Sequence, residues 1–238
     1  MDEILYFEDI HVEINADSLI DRVKLRNSSR SREDFYWAVE TAKELIHPRA
    51  IVGVGSISCI DDTTVRIEDQ EFTSRILRVN LDPYSVAYPF IATIGPELEN
   101  IAAKQDKLTR KFFLELVGDY SLINSVMQIE EEIKKKFNIK RISSMSPGEI
   151  QNWGLSEQTP LFKLFRNHLS QIGVNLTSSL MMKPRKSRSG IVFENETGYI
   201  NCQFCVMDRC PGRRAKYNPN KYAEYDLPIP QTTDTKTH

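Results

Sequence analysis

Apolar and polar positions change rhythm several times along this chain, and each change predicts an element. In "SREDFYWAVETAKELIHP" the residues Phe35, Ala38, Val39, Ala42 and Leu45 recur on one helical face, which predicts an amphipathic helix packed on a core. Ser31 is placed to cap its start and Pro48 to end it. "AIVGVGSISCI" is then apolar and β-branched, with Gly53 and Gly55 interrupting it. "TTVRIEDQEF" and "SRILRVNL" alternate in part with period two, so both are predicted as half-buried antiparallel strands. "VAYPFIATIGPELE" predicts a strand turning at Gly95 into a helix with Pro96 in its first turn. Helical spacing continues to "EEEIKKKF", with a break expected near Gly118 and a solvated acidic-then-basic end.

Downstream, the strand "NIKRISSM" leads into a turn, "SPGEIQNWG". A helix follows in "LSEQTPLFKLFRNHLSQIG", from a Ser156 cap to a Gly173 stop. "VNLTSSLMMKP" and "SGIVFENETGYINC" read as strand-like, and "YDLPIPQTTDTKTH" is polar and proline-punctuated. The elements together predict an α+β fold, a mostly antiparallel, twisted sheet with long packed helices. No repeat or linker divides the chain, so residues 1–225 are expected to form one domain and 226–238 a flexible tail.

At 238 residues, with 40% hydrophobic and 27% charged positions, the chain can bury a sizeable core. A net charge of −2 argues against a general nucleic-acid binder and confines any basic surface to a patch. No apolar run approaches the roughly 20 residues that span a bilayer. The start "MDEILYFEDI" lacks the basic and apolar regions of a secretory signal, so the cytoplasm is the expected location.

In that reducing compartment, clustered cysteines point to metal binding or redox work rather than to structural disulfides. Cys202, Cys205 and Cys210 form Cys-x2-Cys-x4-Cys within "CQFCVMDRCPGRRAK", followed by Pro211 and Gly212 for a sharp loop. The first spacing lets two thiolates face one ion from a tight turn, with the third returning after a short loop. Zinc or an iron–sulfur cluster needs a fourth ligand, for which Cys59 and the imidazoles of His11, His47, His168 and His238 are the candidates. A redox dithiol and inert cysteines are the alternatives. Arg209, Arg213, Arg214 and Lys216 would stabilise thiolates or simply face solvent.

A second basic run, Lys183, Arg185, Lys186 and Arg188, raises a rival reading. It would be a zinc-knuckle-like module gripping RNA phosphates, with Tyr199, Phe204 or Tyr217 stacking bases. No nucleophile-elbow sequence supports hydrolysis. The acidic pair at 61–62 and the run at 130–132 read as a turn and a helix surface. Trp153 either covers a ligand groove or anchors its turn in the core.

From Met145 to Gly190 the order and spacing of several short motifs carry more. They are Pro147–Gly148, Leu161–Phe162, Ile172–Gly173, Leu176–Thr177 with Ser179, Pro184 with Ser187, and Ser189–Gly190. This stretch resembles the S-adenosylmethionine-binding activation domain of cobalamin-dependent methionine synthase, here as a stand-alone relative. The resemblance implies the activation-domain fold and an accessory role in a corrinoid methyltransferase system. Such a domain caps a corrinoid module carrying oxidised cobalamin and supplies S-adenosylmethionine for reductive remethylation while an electron-donor protein contributes an electron. It implies ligand contacts at Ser146, Pro147, Gly148, Glu149 and Trp153. The family's turn has an Arg four positions before its Gly and a Tyr just after it. Here those places hold Ser144 and Glu149, with Arg141 three residues further upstream. The family's acidic ligand on the preceding helix corresponds to the region of Asn124 and Gln128. The alternative to this role is a metal-containing interaction module without catalysis of its own.

Overall fold

The computed structural model describes residues 1, 3–8, 10–23, 29–207, 210 and 212–229. Arg209, Pro211 and residues 230–238, His238 among them, lie outside the described residues. Strand β1 (Glu3–Phe7) and helices α1 (Ala16–Val23) and α2 (Ser29–Leu45) open the chain. There follow β2 (Arg49–Cys59), β3 (Thr64–Ile67), β4 (Gln70–Thr73), α3 (Arg75–Leu81), β5 (Val86–Thr93), α4 (Glu97–Ala103) and α5 (Leu108–Phe137). The second half contributes β6 (Ile142–Met145), α6 (Gln158–Leu164), α7 (Leu169–Ile172), β7 (Asn175–Leu176), β8 (Met182–Lys183) and β9 (Ser187–Glu194).

The main sheet has the order β4-β3-β2-β5-β9-β6, with β1 also paired to β2, and every pairing is antiparallel. Along β2, Ile51 faces one way and Ala50 and Val52 the other. β5 divides Ile91 from Phe90 and Ala92, and β9 divides Ile191 and Phe193 from Val192. Both faces are therefore apolar, because both are covered. The C-terminal half of α5 covers one face through Val126, Ile129 and Ile133. On the other lie α3, α6 and a C-terminal aromatic cluster. A separate core joins α2, α4 and the start of α5, where Phe35, Ala38, Val39 and Ala42 are fully buried as their spacing predicts. The α+β, mostly antiparallel architecture read from the pattern is the observed one.

Several local expectations are corrected. "SRILRVNL" is not a strand but the helix α3, capped by the Ser74 hydroxyl, which accepts from the Leu77 N–H at 3.1 Å. Ile76, Leu77, Asn80 and Leu81 are its buried residues, a helical spacing that also skims a period-two pattern. Gly53 and Gly55 do not interrupt β2. They lie within one 11-residue strand where a Cβ would collide with Met1 and with Ile67. Gly118 does not break α5, which runs 30 residues unbroken, because the Lys186 stem and Leu98 pack over its missing side chain. The break falls before Leu108 instead. Ser31 lies inside α2 rather than at its cap. The predicted 155–173 helix is a 3₁₀ turn (Leu155–Glu157) followed by α6 and α7, and it does stop at Gly173 with φ +67°. "VNLTSSLMMKP" folds as the β7–β8 hairpin. Among the described residues no helix is long and apolar enough to cross a membrane.

Candidate functional site

A groove of ≈ 570 Å³ opens between α5, the edge strand β6, the turn after it, and the segment that carries the clustered cysteines. Each wall has a local reason. The turn reverses because Gly148 adopts φ +85° and its N–H donates to the Trp153 carbonyl at 2.8 Å, a conformation that favours glycine. Glu149 N–H donates to the Ser146 carbonyl at 3.2 Å, which tightens the bend. β9 approaches the start of the turn closely at Gly190. A Cβ there would stand 2.9 Å from Phe90 Cε1 and 3.0 Å from Ser146 Oγ, and closer still to the Met145 carbonyl oxygen. The glycine of the motif's Ser-Gly pair is thus a packing requirement beneath the turn.

The polar contacts in the groove form two sets. Arg188, reaching from β9, pairs with Glu149 (Nη2–Oε1 2.6 Å), and its Nε donates to Ser146 Oγ at 3.2 Å. Asn201 Nδ2 donates to the other Glu149 oxygen at 2.7 Å, while Asn201 Oδ1 accepts from the Tyr199 hydroxyl at 2.8 Å. Burial raises the Tyr199 pKa well above the ordinary tyrosine value, reinforced by Tyr225 and Glu149, so the phenol stays a donor. In the second set the buried Ser144 hydroxyl donates to Glu130 Oε1 at 2.6 Å. Arg214 approaches the other Glu130 oxygen at 3.4 Å. Ile123, Val126, Met127, Val206 and Met207 supply apolar surface.

The cysteine segment is held as a wall by its neighbours. Phe204 is buried, stacked on Tyr199 at 5.4 Å and edge-on to Tyr222 and Tyr225. The Arg213 guanidinium donates to the carbonyls of Cys202 (3.2 Å), Cys205 (3.0 Å) and Ala215 (2.9 Å), and to that of Met207. Cys202 Sγ accepts from the Arg214 N–H at 3.3 Å.

The predicted site residues separate on this geometry. Gly148 and Glu149 line the groove. Ser146 is buried beneath it as a partner of Arg188, and Pro147 sits in the turn. Trp153 is fully buried, edge-on to Phe72 at 6.3 Å, so it anchors the turn from below rather than covering a ligand. Cys202, Cys205 and Cys210 all line the groove as free thiols. Cys59 stands apart at the end of β2, its thiol donating to Asp82 at 3.6 Å, and burial raises its pKa. His11 and His47 line a different cleft, and His168 bonds Tyr6. Among the described residues no group of three or more His, Cys, Asp or Glu side chains is arranged to hold a metal ion.

Three of the four cations in the 183–188 run are tied up in ion pairs. Arg185 pairs with Glu99 and Glu115, Lys186 with Glu115 and Asp119, and Arg188 with Glu149. Tyr199 and Phe204 are core residues, not stacking platforms.

Glu130 and Arg188 are among the groove residues that escaped the sequence reading. Glu130 belongs to a run read as solvated surface, yet it faces inward while Glu131 and Glu132 pair outward with Lys134 and Lys135. The turn of α5 over the sheet was the available signal, since Val126, Ile129 and Ile133 share its inward side. Arg188 was read only as part of a basic run. It brings to the turn, from the adjacent strand, the guanidinium that Ser144 lacks; Arg141 is exposed and outside the groove. Of the helix positions singled out, Asn124 lines the groove and Gln128 is exposed outside it.

An α+β domain with a ligand-sized groove between a long helix and a sheet edge is the class of protein this geometry defines. Within that class, the solved MetH reactivation domain bound to AdoHcy shares the fold: the TM-score is 0.58 at 14% identity, over 94% of this chain and 90% of that one. The chain therefore has a methionine synthase activation-domain-like fold, as the motif resemblance implies. No protein-family model and no curated protein matches the sequence.

Proposed function

We propose that the groove binds S-adenosylmethionine, or its demethylated product, and that the chain presents this ligand to the cobalamin of a corrinoid methyltransferase during reductive reactivation. The observation that carries the reading is the ≈ 570 Å³ groove beside the motif turn, lined on one side by Glu130 and on another by Arg188. A ligand that joins an α-ammonium and an α-carboxylate to an apolar nucleoside meets an acid, a cation and an apolar strip there. When bound, S-adenosylmethionine supplies a sulfonium methyl group. The work of this chain is positional: α5 and the turn fix the ligand, and the cysteine segment walls it from water. Electrons for cobalamin reduction would come from a separate donor protein.

Calorimetric titration with AdoHcy and amide exchange across residues 146–149 test the reading. Saturable heat and slowed exchange at the turn are expected. No heat and no protection at millimolar ligand would remove the ligand role.

A second reading keeps Cys202, Cys205 and Cys210 as ligands of zinc or an iron–sulfur cluster in an interaction module. Their shared position on one wall favours it, although as placed they form no ligand set among the described residues. Iron, labile sulfide and zinc in protein purified without oxygen decide it. Stoichiometric metal that disappears in Cys205→Ser supports the module; metal far below one equivalent removes it.

A further inference from the structure

We infer that Arg188 is the receptor for the ligand's carboxylate, and that the Glu149 side chain is an internal stand-in which the ligand displaces. The assignment rests on the S-adenosylmethionine-class reading above and names its specificity-determining residue. Arg188 leaves β9 on the face covered by α5, and its side chain is 27% exposed in the groove. Its guanidinium already grips one carboxylate, that of Glu149, at 2.6 Å. That carboxylate takes its second hydrogen bond from Asn201, whose amide is oriented by the buried Tyr199 phenol.

The site is therefore a preformed carboxylate cradle with one cation and one oriented amide donor, occupied by a side chain of the protein itself. Three features make the occupant exchangeable. Glu149 is 30% exposed, so leaving costs it little desolvation or packing. It projects from a turn whose backbone is fixed independently by the Gly148–Trp153 hydrogen bond, so its departure does not require the turn to unfold. An amino-acid carboxylate offers the same two oxygens to the same donors, and the Glu149 carboxylate released to water regains its hydration. While Glu149 holds Arg188 Nη2 and Asn201 Nδ2, a ligand carboxylate cannot take that same pair of donors, so Glu149 lowers affinity for a carboxylate ligand and has no effect on one lacking that group.

Two compounds separate these effects: AdoHcy, and methylthioadenosine, which keeps the nucleoside and thioether but has no amino-acid end. Their affinities are measured by calorimetry for the wild type, Arg188→Gln and Glu149→Gln. Arg188→Gln is expected to weaken AdoHcy by about 10- to 100-fold, the loss of a charge-assisted pair, and to leave methylthioadenosine within about 2-fold. Glu149→Gln is expected to tighten AdoHcy several-fold with no change in methylthioadenosine. Should Arg188→Gln fail to fold, Glu149→Gln on the exposed turn still decides, because weakened AdoHcy binding there overturns the stand-in. A wild type that binds AdoHcy with Arg188→Gln unchanged overturns this assignment alone. A wild type that binds neither compound overturns the ligand reading with it.

Discussion

Asp34 shows how single side chains set the behaviour of this molecule. It is only 2% exposed, and burial alone would raise its pKa. Hydrogen bonds from Lys107, Thr109 and Arg110 outweigh that burial and hold it at about 2, below the ordinary 3.8. A carboxyl depressed in the folded state stabilises the fold above its unfolded pKa and loses that effect as pH falls through the folded one. Asp34→Asn is therefore expected to cost about 1–2 kcal/mol at neutral pH, where a hydrogen-bonded charge is lost. In paired urea titrations the gap between wild type and variant should narrow as pH falls from about 4 to about 2; a gap independent of pH would detach the cluster from stability. Gly190→Ala is the second residue-scale prediction. Its Cβ meets backbone and a packed ring rather than flexible tips, so a loss of about 2 kcal/mol or more, read as a lower thermal midpoint, is expected. Residues of this kind were partly legible. The motif contains Gly190, but three consecutive glutamates look alike until the helix phase is known, and only Glu130 turns inward.

At the scale of elements, helix and strand signals compete most closely in short segments. α3 has seven residues, too few for its apolar spacing to separate period two from period 3.6, and what settles it is capping. Ser74 accepts from Leu77, and Asn152, reaching across from the motif turn, accepts from both the Ser74 hydroxyl and the Ile76 N–H at 2.9 Å. That second partner is 76 residues away from the helix it caps and is invisible to any local pattern. Ser74→Ala should cost about 1 kcal/mol. Asn152→Ala should cost at least as much and, unlike Ser74→Ala, should also speed amide exchange at residues 146–149, since it frees the turn. Equal exchange in the two variants would mean that the turn is fixed without α3. In longer elements the type was readable and the glycines misled: the apolar spacing of α2 persists over 17 residues, whereas β2 and α5 run straight through Gly53, Gly55 and Gly118.

For the molecule as a whole, the fold class was legible and the groove was not, for one physical reason. Alternation and helical spacing are local, whereas the groove is assembled from α5, β6, the turn, β9 and the segment after Tyr199. The motifs between residues 145 and 190 mark the floor only. The cysteine segment joins them because Phe204 plugs into the aromatic cluster and Arg213 ties four backbone carbonyls to one planar cation. With four carbonyls drawn to a single side chain, a segment in which the described residues form no strand or α-helix gains the order that a ladder would otherwise supply. Arg213→Ala should therefore loosen residues 202–215 while the sheet keeps its stability. Faster amide exchange and proteolysis confined to that segment are expected, with thermal unfolding lowered by no more than about 1–2 kcal/mol. If the segment is the wall that encloses the ligand, AdoHcy affinity falls in the same variant. A loosened segment with unchanged affinity would place the ligand wholly on α5 and the turn, and the thiols outside its reach.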